Sequence, residues 1–263
     1  MKSKSRLPGI YLAVVTAISY VPIAVTIIYS FNHSKISSVW EGFSLEWYER
    51  LFSDADIFVS LRNSLILSVL VCAVSAVIGT LGALGVKRTN FRLNKVMAYF
   101  SSVPIMIPEI ILGMVYLALF SFMNLPFGIV TLVIAHASFC IPYIYMMVSG
   151  RLFAMDPSIE EAARDLGASP FEVFRDITFP AILPGLLSGL LLSFAMSFDD
   201  VVIAIFVTGP GFNTLPLKIY TRMKTGVTPE INALATLMIL ATTILILLSW
   251  KLNKKGDKAE EEK

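Results

Sequence analysis

The sequence predicts an all-α fold, a polytopic bundle of six membrane-spanning helices with both termini on the cytoplasmic side. Three observations carry that expectation. Of 263 residues, 56% are hydrophobic and only 15% charged, with mean hydropathy +0.75; soluble domains carry roughly a quarter charged residues. Six stretches meet the requirement of about 20 mostly apolar residues for a spanning helix: 9–31, 64–86, 96–122, 127–149, 181–207 and 231–250. Finally, the basic residues are distributed unevenly between the two sides that such a chain would define.

The composition excludes an ordinary soluble enzyme and a disordered chain. A net charge of +2 offers no surface for nucleic acid. Eighteen Phe, nine Tyr and three Trp suit a lipid-facing bundle with aromatic interfacial belts. Cys72 and Cys140 both fall inside apolar stretches, so they read as small buried hydrophobes rather than a disulfide framework. The run 10–31 is too long for the apolar region of a signal peptide and lacks a small-residue cleavage site, so it is expected to be retained as the first helix.

Taken in order, Pro22, Pro104, Pro108, Pro142 and Pro184 lie within or beside the spans. Membrane helices tolerate such residues where neighbours satisfy the freed backbone groups. Gly79, Gly82 and Gly85 recur every third residue and read as a close-packing face. Of the 21 Lys and Arg, 15 fall on the side holding both termini and 6 on the other, which makes the former side cytoplasmic. The extramembrane parts are then outer loops at 32–63 and 208–230 and one large cytoplasmic loop at 150–180. The chain divides into a first helix with its outer loop (1–60), the remaining membrane domain (61–250) and a charged tail (251–263). No GxxxxGK[ST] phosphate-binding loop occurs.

The stretch DPSIEEAARDLGASPFEVFRDITFP, 156–180, is the most informative. Asp156 followed by Pro157 makes a helix start. Gly167 supplies a left-handed stop, and Ser169, Pro170 and Glu172 make a second start with a capping box. Ile159, Ala162, Ala163 and Leu166 form one apolar stripe; Phe171, Phe174 and Ile177 form another. Two short helices with apolar stripes fit a partner's groove, or pack on their own helix ends.

Only three acids fall within the apolar stretches: Glu109, Asp199 and Asp200. A charge at mid-bilayer costs about 2.5–3.5 kcal/mol on insertion scales, which makes such residues functional candidates. They line a path for a cationic solute or sit solvated at an interface. Asp199 and Asp200 lie about 100° apart on a helix, so one faces the path while the other caps or pairs locally. His136 reads as an interhelical hydrogen-bond partner, with no second ligand at metal spacing. Trp47 and Tyr48 fit interfacial anchoring or contact with the solute from outside. Lys218, Arg222 and Lys224 either meet an acidic partner or solvate a loop. These residues alone leave open an ion-coupled secondary transporter; a membrane enzyme lacks a nucleophile with its base.

Glu161-Ala162-Ala163, Gly167, Ile177 and Pro180 resemble the EAA signature of ABC-transporter permeases: E-A-A, three residues, Gly, nine residues, I-x-L-P, with Phe179 in place of Leu. The resemblance, to the type I binding-protein-dependent importers, implies that the loop is a coupling helix seated in an ATPase subunit. Glu161, Ala162, Ala163 and Gly167 would be its ATPase-contacting or loop-shaping positions. Further stretches resemble the polyamine-importing branch, and within it the second permease of spermidine/putrescine importers. They are Trp40-x-Gly42-Phe43-Ser44-x-x-Trp47-Tyr48, Ser197-Phe198-Asp199-Asp200-Val201-Val202, Phe206-Val207-Thr208-Gly209-Pro210, Leu215-Pro216-Leu217-Lys218-Ile219-Tyr220 and Asn232-Ala233-Leu234-Ala235-Thr236. That likeness implies a permease without an ATPase site of its own, in the bacterial inner membrane. Its implied partners are a second homologous permease, two ATPase subunits that bind ATP and Mg, and an external polyamine-binding protein. Glu109, Asp199, Asp200 and Trp47 are the substrate-path candidates.

Overall fold

The computed structural model describes residues 7–34, 39–88, 103–225, 229–240 and 243. They are almost wholly helical, and one isolated antiparallel bridge, Asn32 with Phe43, stands outside the helices. In chain order the helices are α1 (Leu7–Tyr29), α2 (Glu46–Ser53), α3 (Ala55–Arg88), α4 (Glu109–Phe122), α5 (Ile129–Ala154), α6 (Pro157–Asp165), α7 (Pro170–Val173), α8 (Phe179–Asp199), α9 (Val202–Val207) and α10 (Leu215–Thr225). An apolar helix, α11, follows at Pro229–Leu240.

Four described helices are long and apolar enough to cross a membrane: Gly9–Tyr29, Ala55–Lys87, Ile129–Ala154 and Pro170–Asp199. The expected third and sixth spans are represented by the shorter α4 and α11; residues 96–102, 241–242 and 244–250 of those spans lie outside the described residues. So do the charged tail 251–263 and the basic residues Lys2, Lys4, Arg6, Arg92 and Lys95.

Two expectations are corrected. The stretch 181–207 is not one helix: α8 ends at Asp199, Asp200 turns to extended backbone (φ −65°, ψ 129°), and α9 restarts. The second short helix of the loop 150–180 is not separate from the following apolar helix. α7 runs through a π-helical turn, Phe174–Thr178, directly into α8, giving one apolar helical stretch of 30 residues.

The chain forms two compact units. One comprises Met1–Ile57 with Thr221–Lys263 and the other Phe58–Tyr220. In the second, α5 is the central helix. It packs along α8, while α9 packs on α4. Leu67, Val71, Leu112, Phe120, Leu132, Phe139, Ile203 and Val207 form one buried cluster, and Ala83, Ile144, Val148, Leu152 and Ile182 another. Small residues set the approach: a Cβ on Gly79 would lie 3.0 Å from the Ile144 side chain, and one on Gly189 3.1 Å from the Ile144 backbone. A Cβ on Gly85 would have nothing within 4 Å, so the close face of α3 is narrower than the threefold glycine spacing suggests. The thiols of Cys72 and Cys140 are free and lie against the Leu190 and Ser193 carbonyls, at 3.5 and 3.6 Å.

In the first unit, α1 presents apolar side chains outward along its whole apolar window, as lipid contact requires. Beyond it Asn32 organises the following segment. Its amide donates to the Val39 carbonyl at 2.5 Å, and its side-chain oxygen accepts from the Ser34 and Glu41 backbone at 3.3 and 2.9 Å.

Candidate functional site

Glu109 opens α4 immediately after Pro108, whose extended backbone (ψ 133°) separates it from a helical turn at 103–106. Proline disfavours helix in the residue before it and lacks an N–H, so this break is dictated locally. Asp199 is the last residue of α8. These two helix ends meet in an open cleft of about 460 Å³, lined by Glu109, Ala195, Met196, Asp199, Asp200, Val201 and Val202. Two broken helices thus bring together acids 90 residues apart, with apolar walls between them. Glu109 and Asp199 are exposed in the single chain.

Asp200 behaves differently. It is 8% exposed. Its Oδ1 accepts from the Ile203 N–H at 3.2 Å and its Oδ2 from the Ala204 N–H at 2.9 Å, so it satisfies first-turn donors of α9. His136 on α5 is fully buried, with Nε2 3.3 Å from Asp200 Oδ2 and Nδ1 3.0 Å from Ser197 Oγ. α9 is held against α4 at Gly113, where a Cβ would collide with the Phe206 ring, and against α5 through the Thr131 hydroxyl, which donates to the Val207 carbonyl at 2.9 Å.

Trp47, a substrate-path candidate from the sequence, belongs to the first unit. It is 4% exposed, its indole N–H donates to the Asn32 carbonyl at 2.8 Å, and the Arg50 guanidinium lies 5.0 Å from its ring. An indole has one polar handle; here it binds backbone and ties α2 to the end of α1. Tyr48 shares a 2.7 Å hydrogen bond with Ser30. Arg222 is likewise engaged within its own unit, on Asp54 and, at 2.9 Å, on Glu230.

In the loop 150–180, Asp156 Oδ1 accepts from the Ser158 N–H at 2.9 Å, which holds its carboxyl below the usual carboxylate range. Gly167 takes φ +91°. Ser169 and Glu172 make the reciprocal capping box: the Ser169 N–H donates to Glu172 Oε2 at 2.7 Å and the Glu172 N–H to Ser169 Oγ at 3.4 Å. Glu161, Ala162 and Gly167 are exposed and Ala163 half-buried. The side chains of Ile159, Leu166 and Phe171 are exposed at 50%, 90% and 68%, whereas Phe174 and Ile177 of the second stripe are half-buried and the Phe174 ring lies 6.0 Å from that of Phe179. Sequence reasoning missed the neighbouring Glu160, whose Oε1 accepts from the buried Thr178 hydroxyl at 2.8 Å and ties α6 to the π-helical turn. It also missed Ser197; the signal available for that network was a histidine within an apolar span.

Residues 75–253 match the family of binding-protein-dependent transport system inner membrane components. The spermidine/putrescine transport system permease protein PotC of Haemophilus influenzae is 37% identical over 97% of this chain and 99% of its own length. The putrescine transport system permease protein PotI of Escherichia coli is 40% identical over 91% of this chain and 88% of its own. The fold is shared with a bacterial ABC transporter involved in the import of the acidic polysaccharide alginate, at TM-score 0.71 and 16% identity over 97% of this chain and 98% of that one. Broken spans around a cleft, an exposed loop with EAA spacing and these likenesses agree: the chain belongs to the family of binding-protein-dependent transport system inner membrane components, as a permease.

Proposed function

We propose that the chain is a permease subunit of an ATP-driven importer of polyamines, spermidine or putrescine, in the bacterial cytoplasmic membrane. It crosses the bilayer six times with both termini cytoplasmic. It forms the translocation path with a second homologous permease, receives its solute from an external polyamine-binding protein, and engages two ATPase subunits through 156–180. ATP and Mg bind in those subunits, and this chain carries out no chemistry. Glu161, Ala162, Ala163 and Gly167 belong to the ATPase-docking face.

The observation that carries the substrate class is the meeting of Glu109 and Asp199 in one apolar-walled cleft. Polyamine ammonium groups lose hydration on entering a membrane path, and acceptors spaced along it offset that loss. Charges interact several-fold more strongly at protein dielectric than in water, and a few separated acids favour passage over tight capture. The relatives named for spermidine and putrescine transport support the same reading. Glu109→Gln and Asp199→Asn keep shape and remove charge. Each is expected to cut uptake of labelled polyamine tenfold or more, on the order of 1.4 kcal/mol, with assembly on the ATPase intact. Near-normal uptake by both amides, at verified membrane levels, overturns the assignment.

A further inference from the structure

The adjacent aspartates of the cleft are chemically unequal. A carboxylate can only accept hydrogen bonds, and both oxygens of Asp200 are engaged: Oδ1 by the Ile203 N–H, Oδ2 by the Ala204 N–H and the contact with His136 Nε2. Asp199, one residue earlier, is exposed and ends α8. In the tautomer that carries its proton on Nε2, His136 turns that N–H toward Asp200 and accepts from the Ser197 hydroxyl at Nδ1. His136 Nε2 is buried, lies 3.3 Å from Asp200 Oδ2 and makes no hydrogen bond of regular geometry. The ring therefore bridges Ser197, in the last turn of α8, to Asp200, at the break that follows. It does so from α5, the central helix.

We propose that His136 is a positioning residue for transport. It locks Asp200 as the cap of α9, so that the break in the chain is held open and Asp199, not Asp200, is the aspartate that meets the solute. The inference rests on the proposed cation path for the identity of the solute. The arrangement itself does not depend on it. Removing the ring that faces a buried carboxylate leaves that carboxylate with its two backbone donors alone. Loss of His136 therefore acts through Asp200 and frees α9 from its fixed start. Glu109 and Asp199 remain chemically intact in such a variant, but the wall that presents Asp199 is no longer held.

The test is a set of variants of the full chain, expressed with its transport partners and compared at equal membrane levels. His136→Leu and Asp200→Asn are expected to share one phenotype: the maximal uptake rate falls at least tenfold while KM changes less than threefold. Asp199→Asn is expected to raise KM. The double variant His136→Leu/Asp200→Asn should be no worse than the poorer single variant, whereas His136→Leu/Asp199→Asn should combine both defects. His136→Gln, whose amide reaches the Nε2 position, should retain most of the rate, and His136→Asn, whose amide reaches only the Nδ1 position, should not. The Gln and Asn pair decides the matter if the leucine variant fails to reach the membrane.

Normal uptake by His136→Leu overturns the proposal. So does a raised KM in Asp200→Asn matching that of Asp199→Asn, or additive defects in the His136 and Asp200 double variant. If Glu109→Gln and Asp199→Asn both transport normally, the cation path is wrong. The His136–Asp200 link is then read from a cycle of melting temperatures in detergent, where non-additivity sustains it and additivity sinks it.

Discussion

Arg222 holds two carboxylates at once, Asp54 and Glu230, and shows how a side chain with an outward look in the sequence becomes internal. Burial alone would raise the Asp54 pKa, but the Arg222 guanidinium and the Asp56 and Ile57 N–H groups outweigh it and hold the carboxyl below its ordinary value of 3.8. A carboxyl depressed in the folded state contributes stability above its unfolded pKa and loses it as pH falls through the folded one. Asp54→Asn is therefore expected to cost on the order of 1 kcal/mol at pH 7. Thermal unfolding in detergent should show a gap to the parent chain that is constant down to about pH 4 and closes below it. Trp47 makes the complementary point. Its amphipathic neighbourhood was readable from spacing, whereas the direction of its N–H, toward the Asn32 carbonyl, depends on a chain reversal between α1 and α2 that no local rule specifies.

The loop 150–180 is where elements were most legible, because its starts and its Gly167 stop depend on residues a few positions apart. Asp156, Pro157, Gly167, Ser169 and Glu172 each do locally what their chemistry favours. Gly167 has φ +91° with open space around its missing Cβ, so a substitution there is strained by backbone conformation and by nothing else. Gly167→Val is expected to lose about 1–2 kcal/mol locally and to misplace α6 relative to α7, while Gly167→Asn, which tolerates the left-handed region, is milder. Glu161→Lys should alter the exposed face instead. Co-purification of the ATPase and ATP-driven uptake check all three. Normal assembly and transport by Glu161→Lys would remove the loop from the docking role. The π-helical turn at Phe174–Thr178 was not legible. Such a turn reflects one residue more than the α-helical hydrogen-bond ladder accommodates, and here the buried Thr178, bonded to Glu160, lies within it.

For the molecule as a whole, sidedness is the quantity that the count of basic residues carries. Asn213 and Ser158 are exposed, and a cysteine at either position keeps the backbone contacts, from the Asn213 carbonyl to Asn63 at 3.1 Å and from the Ser158 N–H to Asp156 at 2.9 Å. In intact cells, Asn213→Cys is expected to react with an impermeant maleimide and Ser158→Cys to react only after lysis, with the parent chain as the control for Cys72 and Cys140. The reverse pattern inverts the topology.

Apolar run lengths, proline and glycine positions and the EAA spacing are one-dimensional quantities, and the sequence by itself determined from them the helical membrane class, the permease family and, in the loop 150–180, two helix starts and the stop at Gly167. Burial and partner choice are three-dimensional. Asp199 and Asp200 are identical in type and adjacent in the chain, yet one is exposed in the cleft while the other caps α9 against His136. That division follows from where α5 passes the end of α8. A buried carboxylate persists only where donors converge on it, and those donors come from residues 136, 203 and 204, brought to one point by packing.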